Sequence, residues 1–471
     1  MTKMRFLVIL LCCVMLIPGF VQARIGEFTL RDELELARKF DLIIETRFPV
    51  VHDPYITGYV QTLVDRLVMA MPPQPFPIKV TVVRHGALNA FATAGGHIAV
   101  FTGLLSNLDS EDELASVIAH ELAHVSERHI AQAIEKSKIL GVGSLLGILA
   151  GVLLGTQGEG DAASALMIGT MAGTRALQLQ YTRENEVEAD QYGLDFLVGA
   201  GFAPYGMTGA FEKIRRLQWL SGGGDIPSYL STHPGMDDRL GYIQDRIKRL
   251  PESVRQRQSD NAFFLRAQML VRAWYADPNT ALALFAPKAG DDQHLLCLKT
   301  LGRSIAHSRL KQKDLARTQF KAALSCYPRD ALWKREFGRF AFESGTLEES
   351  VLALQDAIMM NPADLFALFF YARAVAEQGD YTASIAAMER VAKAVPRDPE
   401  VLENLARYQA ATNNLFEAYL NYAQAFAYRR QFSKYELHLQ KAEKLAKSDK
   451  DKERIKQVAQ EVSEYQEILK N

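Results

Sequence analysis

Apolar residues recur at three- and four-residue steps through "DELELARKFDLIIE" and again through "DPYITGYVQTLVDRLVMAM". That rhythm predicts two amphipathic helices, the second ending at Pro72-Pro73. The period then shortens. "FPIKVTVVR" and "GGHIAVFTGLL" are β-branched and aromatic runs bounded by Pro and Gly, which predicts a small sheet. One helix is expected over "DSEDELASVIAHELAHVSERHIAQAIEKS", with Asp109 or Ser110 as N-cap and carboxylates in its first turn. Residues 139–155, "ILGVGSLLGILAGVLLG", carry no charge and place glycines 143, 147, 151 and 155 near one helical face. A buried or interface-contacting helix is expected there, with a membrane span or a partner surface as the alternatives. A long helix over "ASALMIGTMAGTRALQLQYTRENEVEADQYGLDFLVGAG" should stop at Gly199, Gly201 and Pro204. After a glycine-rich "SGGGD" loop, "YLSTHPGMDDRLGYIQDRIKRL" reads as a turn feeding one more helix, and Pro251 marks a boundary.

Beyond Pro251 the texture is helical and periodic. Pro328, Pro362 and Pro396 recur every 34 residues, and three columns of small or apolar residues keep the same register. These are Ala316, Ser350 and Ser384; Phe320, Leu354 and Met388; Ala323, Ala357 and Val391. A fourth unit continues through Ala418, Tyr422 and Ala425. This is the length and pattern of tetratricopeptide repeats, each an antiparallel helix pair. Cys297 falls at the start of the first helix of its repeat and Cys326 near the end of the second, ends that an antiparallel hairpin brings together. A disulfide and two buried thiols are both compatible with that register.

Composition narrows the class of partner. A net charge of -1 with scattered basic residues gives no electrostatic footprint for nucleic acid. The N-terminus stands apart: Lys3 and Arg5, then "FLVILLCCVMLI", then "VQA" before Arg24 predict a secretory signal peptide over residues 1–23, cleaved after Ala23. Two of the four cysteines would leave with it, so the remainder is no disulfide-dense scaffold.

The chemistry is concentrated in "VIAHELAHVSERH". His120 and His124, four apart on a helix, project from one face and can reach a single Zn²⁺, with Glu121 beside them as a general base. His129 lies well off that face by helical geometry and should point elsewhere, as a surface or inter-helix histidine. In "ENEVEAD", Glu186 and Asp190 are also four apart, so a carboxylate can reach the metal while Asp190 accepts the other N–H of a ligand imidazole. Glu184 and Glu188 are assigned to solvent. By spacing alone the segment is equally readable as a solvated helical face.

"HELAH", followed some sixty residues later by "EVEAD" and preceded by "NAFATAGGHIAVFTGLL", resembles the gluzincin peptidases of family M48. The resemblance implies an α+β zinc metallopeptidase domain over 24–250, mostly helical with a small sheet, followed by an all-α repeat solenoid over 251–471. It implies one Zn²⁺ held by His120, His124 and Glu186, with Glu121 as catalytic base and Asp190 behind a ligand imidazole. It also places His233 of "STHP" near the metal, either stabilising an oxyanion or occupying the open zinc position. Arg239 would brace that loop, and the edge of the "GGHIAVFT" strand would lie along the cleft to pair with an extended substrate, with His97 structural. Family members with this domain order imply a periplasmic endopeptidase. Its protein clients would be misassembled outer-membrane β-barrel proteins and their assembly machinery, recruited by the repeats. The alternative is mainly a chaperone or scaffold with a latent protease site.

Overall fold

The computed structural model describes residues 28–137, 181–220, 229 and 233–470. The expected signal peptide, the glycine-spaced segment 139–155 and the "SGGGD" loop lie outside the described residues. Among those described, no helix is long and apolar enough to cross a membrane.

Helix α1 (Leu30–Arg47) opens on a reciprocal cap between Thr29 and Asp32. Helix α2 (Pro54–Val68) is capped by Asp53 and starts on proline, whose fixed φ suits a first helical position. Its buried stripe is Ile56, Val60, Leu63, Val64 and Leu67, and the helix stops at Val68, short of the prolines. The sheet has strands β1 (Lys79–Val83), β2 (Ala90–Ala92) and β3 (His97–Phe101) in the order β1-β3-β2. Strand β3 is parallel to β1 and antiparallel to β2. All five of its residues are buried.

This corrects the expectation for the "GGHIAVFT" strand, because both of its edges are already paired. Gly95 and Gly96, each at φ +82°, fold the chain back tightly enough for the short β2 to take the outer position. Three residues of β2 are too few to announce a period of two. His97, at the start of β3, contacts Asp41 through Nδ1 and Thr81 Oγ1 through Nε2, the latter at 2.9 Å, a structural placement.

Helices α3 (Thr102–Asn107), α4 (Glu111–Ser126) and α5 (His129–Ser137) follow. Ser110 caps α4 by accepting from the Glu113 amide. The single helix expected here is two, since Arg128 sits at φ 53° and turns the chain between them. Of the long helix expected next, residues 163–180 lie outside the described residues, and helix α6 (Arg183–Gly199) opens on a reciprocal cap between Thr182 and Asn185. It then packs on α4 at Gly193, where a Cβ would lie 3.1 Å from His120 Cα. The absence of a side chain at 193 therefore brings the two helices close enough to share one site. Helices α7 (Tyr205–Leu220) and α8 (Met236–Lys248) complete the domain.

The helices from Ala262 to Lys470 stack as antiparallel pairs, for example Ala331–Ser344 on Leu347–Met360 and Leu365–Glu377 on Tyr381–Ala394. All nine residues of the three repeat columns are buried. The backbone repeats the same 34-residue interval, with Lys311, Gly345, Gly379 and Asn413 all at positive φ in the turn within a pair. Cys297 and Cys326 are joined as a disulfide, with Cα atoms 6.0 Å apart. One hydrophobic core runs from Val51 in the first domain to Phe340 in the repeats, so the solenoid packs on the domain that carries the site. Gln268 supports this junction by donating to the carbonyls of Leu105 and Leu108, just ahead of α4.

Candidate metal centre

Helix α4 is buried from Leu114 through Val125, so its polar residues lie in the interior without water to solvate them. His120, Glu121 and His124 are among these. Their partners come from α6, from β2 and from the chain just before α8. His120 Nε2 and His124 Nε2 lie 3.1 Å apart. Glu186, on the facing turn of α6, places its carboxylate oxygens 3.5 Å from each of those nitrogens. His233 adds Nδ1, 3.3 Å from His120 Nε2 and 3.0 Å from Glu186 Oε1.

These four residues are buried, and their donor atoms all lie within 4.8 Å of one another. Zn–N and Zn–O bonds of about 2.0–2.1 Å in a tetrahedron imply donor separations of about 3.3 Å. Five of the separations, 3.0 to 3.5 Å, are of that size, in a set that extends to 4.8 Å. The chemistry fits as well: three imidazoles and one carboxylate are gathered in one buried place, and a cation binding there would displace the proton that His120 carries. The residues present therefore fit a divalent metal by donor type and proximity.

Behind this donor set stands a buried ionic layer. Arg239, on α8, donates from Nε and Nη2 to the two oxygens of Asp190, each at 2.7 Å, and from Nη1 to Glu186. Tyr242 also donates to Asp190. Arg239 thus braces the two carboxylates of α6, where the sequence reading had it bracing the loop of His233. "MDDR" reads locally as a solvated first turn, and only the packing of α8 on α6 turns Arg239 inward. Asp190 Oδ1 lies 3.0 Å from His120 Nδ1.

Burial disfavours a charge on His120, yet Asp190 and Glu186 outweigh it and raise its pKa to about 9 in the metal-free protein. Burial holds His124 well below the ordinary imidazole range. For Glu186, burial is outweighed by the three histidines, which hold its pKa well below the ordinary range. Asp190 is also lowered, its burial being overcome by His120 and Arg239.

Glu121 occupies a different position. Its Oε2 accepts from the Ala92 amide of β2 at 3.2 Å, and its Oε1 lies 3.4 Å from His233 Nε2. Burial raises its pKa above the ordinary carboxylate value, favouring a group that can take up a proton. The Ala92 contact also fixes the role of β2. Thr93 N–H donates to the His97 carbonyl and Phe101 N–H to that of Asn89, so the odd-numbered residues of β2 face β3. Ala92 therefore directs its backbone toward α4, which makes β2, rather than β3, the edge beside the site.

Sequence reasoning missed four further neighbours. His129 does not join the four donor atoms, but it is buried, with Nδ1 2.8 Å from His124 Nδ1. Its helical-wheel direction was computed for one continuous helix, and the left-handed turn at Arg128 cancels it. Glu188, assigned to solvent, is half-exposed yet lies 3.1 Å from His129 Nε2. Tyr181 stacks on His124 with ring centres 3.7 Å apart, and Tyr229 stacks on His233 at 4.3 Å. The tyrosines have no spacing relation to the histidines, so no local pattern announces them.

Residues 54–247 match the family model described as Peptidase family M48. The chain is 29% identical over 366 residues to the beta-barrel assembly-enhancing protease of Yersinia pestis, covering 77% of this chain and 74% of that one. It is 34% identical over 212 residues to the protein of the same name from Escherichia coli (strain K12), covering 45% of this chain and 43% of that one. The second match thus spans less than half of its relative. Among solved structures, a tetratricopeptide repeat protein from Parabacteroides merdae is similar over 53% of this chain, with 13% identity and a TM-score of 0.28.

Proposed function

We propose that this protein, whose residues 54–247 match the model of peptidase family M48, is an exported, periplasmic zinc endopeptidase. Its clients would be misassembled outer-membrane β-barrel proteins and the machinery that assembles them. The carrying observation is the buried set of donor atoms from His120, His124, Glu186 and His233, all within 4.8 Å of one another. The names of the relatives from Yersinia pestis and Escherichia coli support the client class. The basic n-region, apolar run and small-residue site before Arg24 support export.

In this reading His120, His124 and Glu186 hold the zinc, which supplies Lewis acidity to the scissile carbonyl and the attacking water. Glu121 takes the water's proton and returns it to the leaving amine. Its raised pKa suits both halves of that exchange. Asp190 stands 3.0 Å from His120 Nδ1, and Arg239 neutralises the two carboxylates of α6. Strand β2 lies beside Glu121, and an extended peptide pairing with it there would take over the Ala92 N–H that Glu121 holds at rest. His233, whose Nδ1 lies among the donors, would offer a fourth ligand and so keep the resting site latent.

The second reading, a chaperone or scaffold with a latent site, is favoured by that same position of His233. It also draws on a groove of about 630 Å³ on the repeats, lined by Ile358, Met359, Leu368 and Tyr371 among others. The test is cleavage of an unfolded β-barrel precursor by the purified chain. Loss on chelation and recovery with zinc are expected. Cleavage indifferent to a chelator would exclude the metallopeptidase mechanism, and binding of the precursor without cleavage by the His233→Ala protein would favour the scaffold.

A further inference from the structure

The two imidazoles of α4 are backed in different ways. His120 Nδ1 faces a carboxylate directly, that of Asp190 at 3.0 Å. The corresponding nitrogen of His124 faces another imidazole, with His129 Nδ1 at 2.8 Å, and His129 Nε2 lies 3.1 Å from Glu188 Oε2. We propose that His129 is a positioning residue for His124. By relaying the acceptor character of Glu188, it fixes the tautomer in which His124 turns an unprotonated Nε2 toward the metal.

This rests on the reading above, in which His124 is a zinc ligand. The argument is one of counting protons. Two ring nitrogens 2.8 Å apart share one proton, so one donates and the other accepts. An ionised carboxylate can only accept, so Glu188 calls for the proton of a neutral His129 on Nε2. That leaves a lone pair on His129 Nδ1, which must then receive the proton of His124 Nδ1. His124 Nε2 is left bare, 3.1 Å from His120 Nε2, where the donor set converges. In the reverse assignment His124 would carry its proton on Nε2, pointing into the site and blocking a cation. Histidine ligands are generally oriented by a partner on the second ring nitrogen. In this chain that partner is a second histidine.

The fold supplies the device in few residues. The left-handed turn at Arg128 swings His129 back against the end of α4. That turn is held by Arg128 Nε, which donates to buried Glu33 of α1 at 2.9 Å. Helix α6 then presents three carboxylates to one site. Glu186 joins the donors, Asp190 backs His120, and Glu188 backs His124 through His129.

The test compares His129→Leu, which keeps an apolar filler of similar size, with His129→Asn, whose side-chain oxygen can still accept from His124 Nδ1. Zinc affinity of the full-length chain is measured by chelator competition, alongside the d–d absorption of the cobalt-substituted protein. His129→Leu is expected to weaken zinc binding by about 10- to 100-fold and to alter the cobalt spectrum. His129→Asn is expected to recover most of the affinity, which a mere packing role would not predict. Parent-like affinity and spectrum for His129→Leu would overturn the proposal. Should that variant not fold, Glu188→Leu at the half-exposed position decides. A severalfold loss supports the relay, and unchanged affinity refutes it. If the parent chain itself binds no zinc, the metallopeptidase reading falls, an outcome distinct from failure of the relay alone.

Discussion

Arg335 of the repeats donates to both carboxylate oxygens of Asp53, at 3.0 and 2.8 Å, across 282 residues of chain. Asp53 is the cap of α2, so the same carboxylate starts a helix of the site-bearing domain and anchors the solenoid. Glu336 also accepts from Arg335, and it receives Trp274 Nε1 at 3.0 Å. The cluster is buried, so removing its cation leaves carboxylates in an apolar interior. Arg335→Met is expected to destabilise the protein by about 3–5 kcal/mol, measured by denaturant unfolding. A change below about 1 kcal/mol would mean that the junction rests on its apolar core alone.

Glu121→Gln keeps the shape of the site and removes its base. Zinc content should stay at the parent level while turnover falls by about 100- to 10,000-fold. Metal analysis and peptide cleavage on one preparation check this. Retained cleavage by the metal-loaded variant would assign the base elsewhere.

His233→Ala removes the fourth donor and opens the position that it occupies. Turnover on a short unfolded peptide should rise, roughly tenfold for about 1.4 kcal/mol of relieved latching. A fall in turnover with an unchanged KM would instead make His233 a stabiliser of the oxyanion.

The pKa of His120, raised to about 9, gives the metal-free protein a definite pH signature. The folded pKa lies above that of the unfolded chain. The contribution to stability is therefore complete below the ordinary imidazole value and fades as pH rises through about 9. Near pH 7.5 zinc must displace this proton, so binding should release about one proton. Calorimetry in buffers of different ionisation enthalpy would detect it. Heats independent of buffer would place the proton elsewhere.

The disulfide closes a loop of 29 residues within one repeat. The chain-entropy account assigns such a loop about 3–4 kcal/mol. Replacing Cys297 and Cys326 by Ser should lower the denaturant midpoint, and a reductant should lower the parent's midpoint to match. A midpoint insensitive to both would show that the helix pair holds itself.

Much of this architecture was legible locally. Helical period, caps and prolines announced most elements, and the 34-residue rhythm announced the repeats, because each buried column depends only on spacing along one helix. His120, His124 and Glu121 were legible for the same reason: one turn of helix places them together. The pairing of Cys297 with Cys326 was legible only as a choice between a bridge and two thiols. Strand β2 was not legible, since three residues carry no period, and its place at the edge depends on a hairpin closed by Gly95 and Gly96.

The sequence by itself determined which residue types could do chemistry and on which helices they stand. Tertiary structure alone decided which of them meet. Gly193 lets α6 approach α4, a left-handed turn at Arg128 reverses the expected direction of His129, and α8 brings Arg239 beneath two buried carboxylates. Helical geometry fixes neighbours one turn apart, but contacts between elements depend on how closely their backbones approach and where the chain breaks. Those are properties of the packed whole.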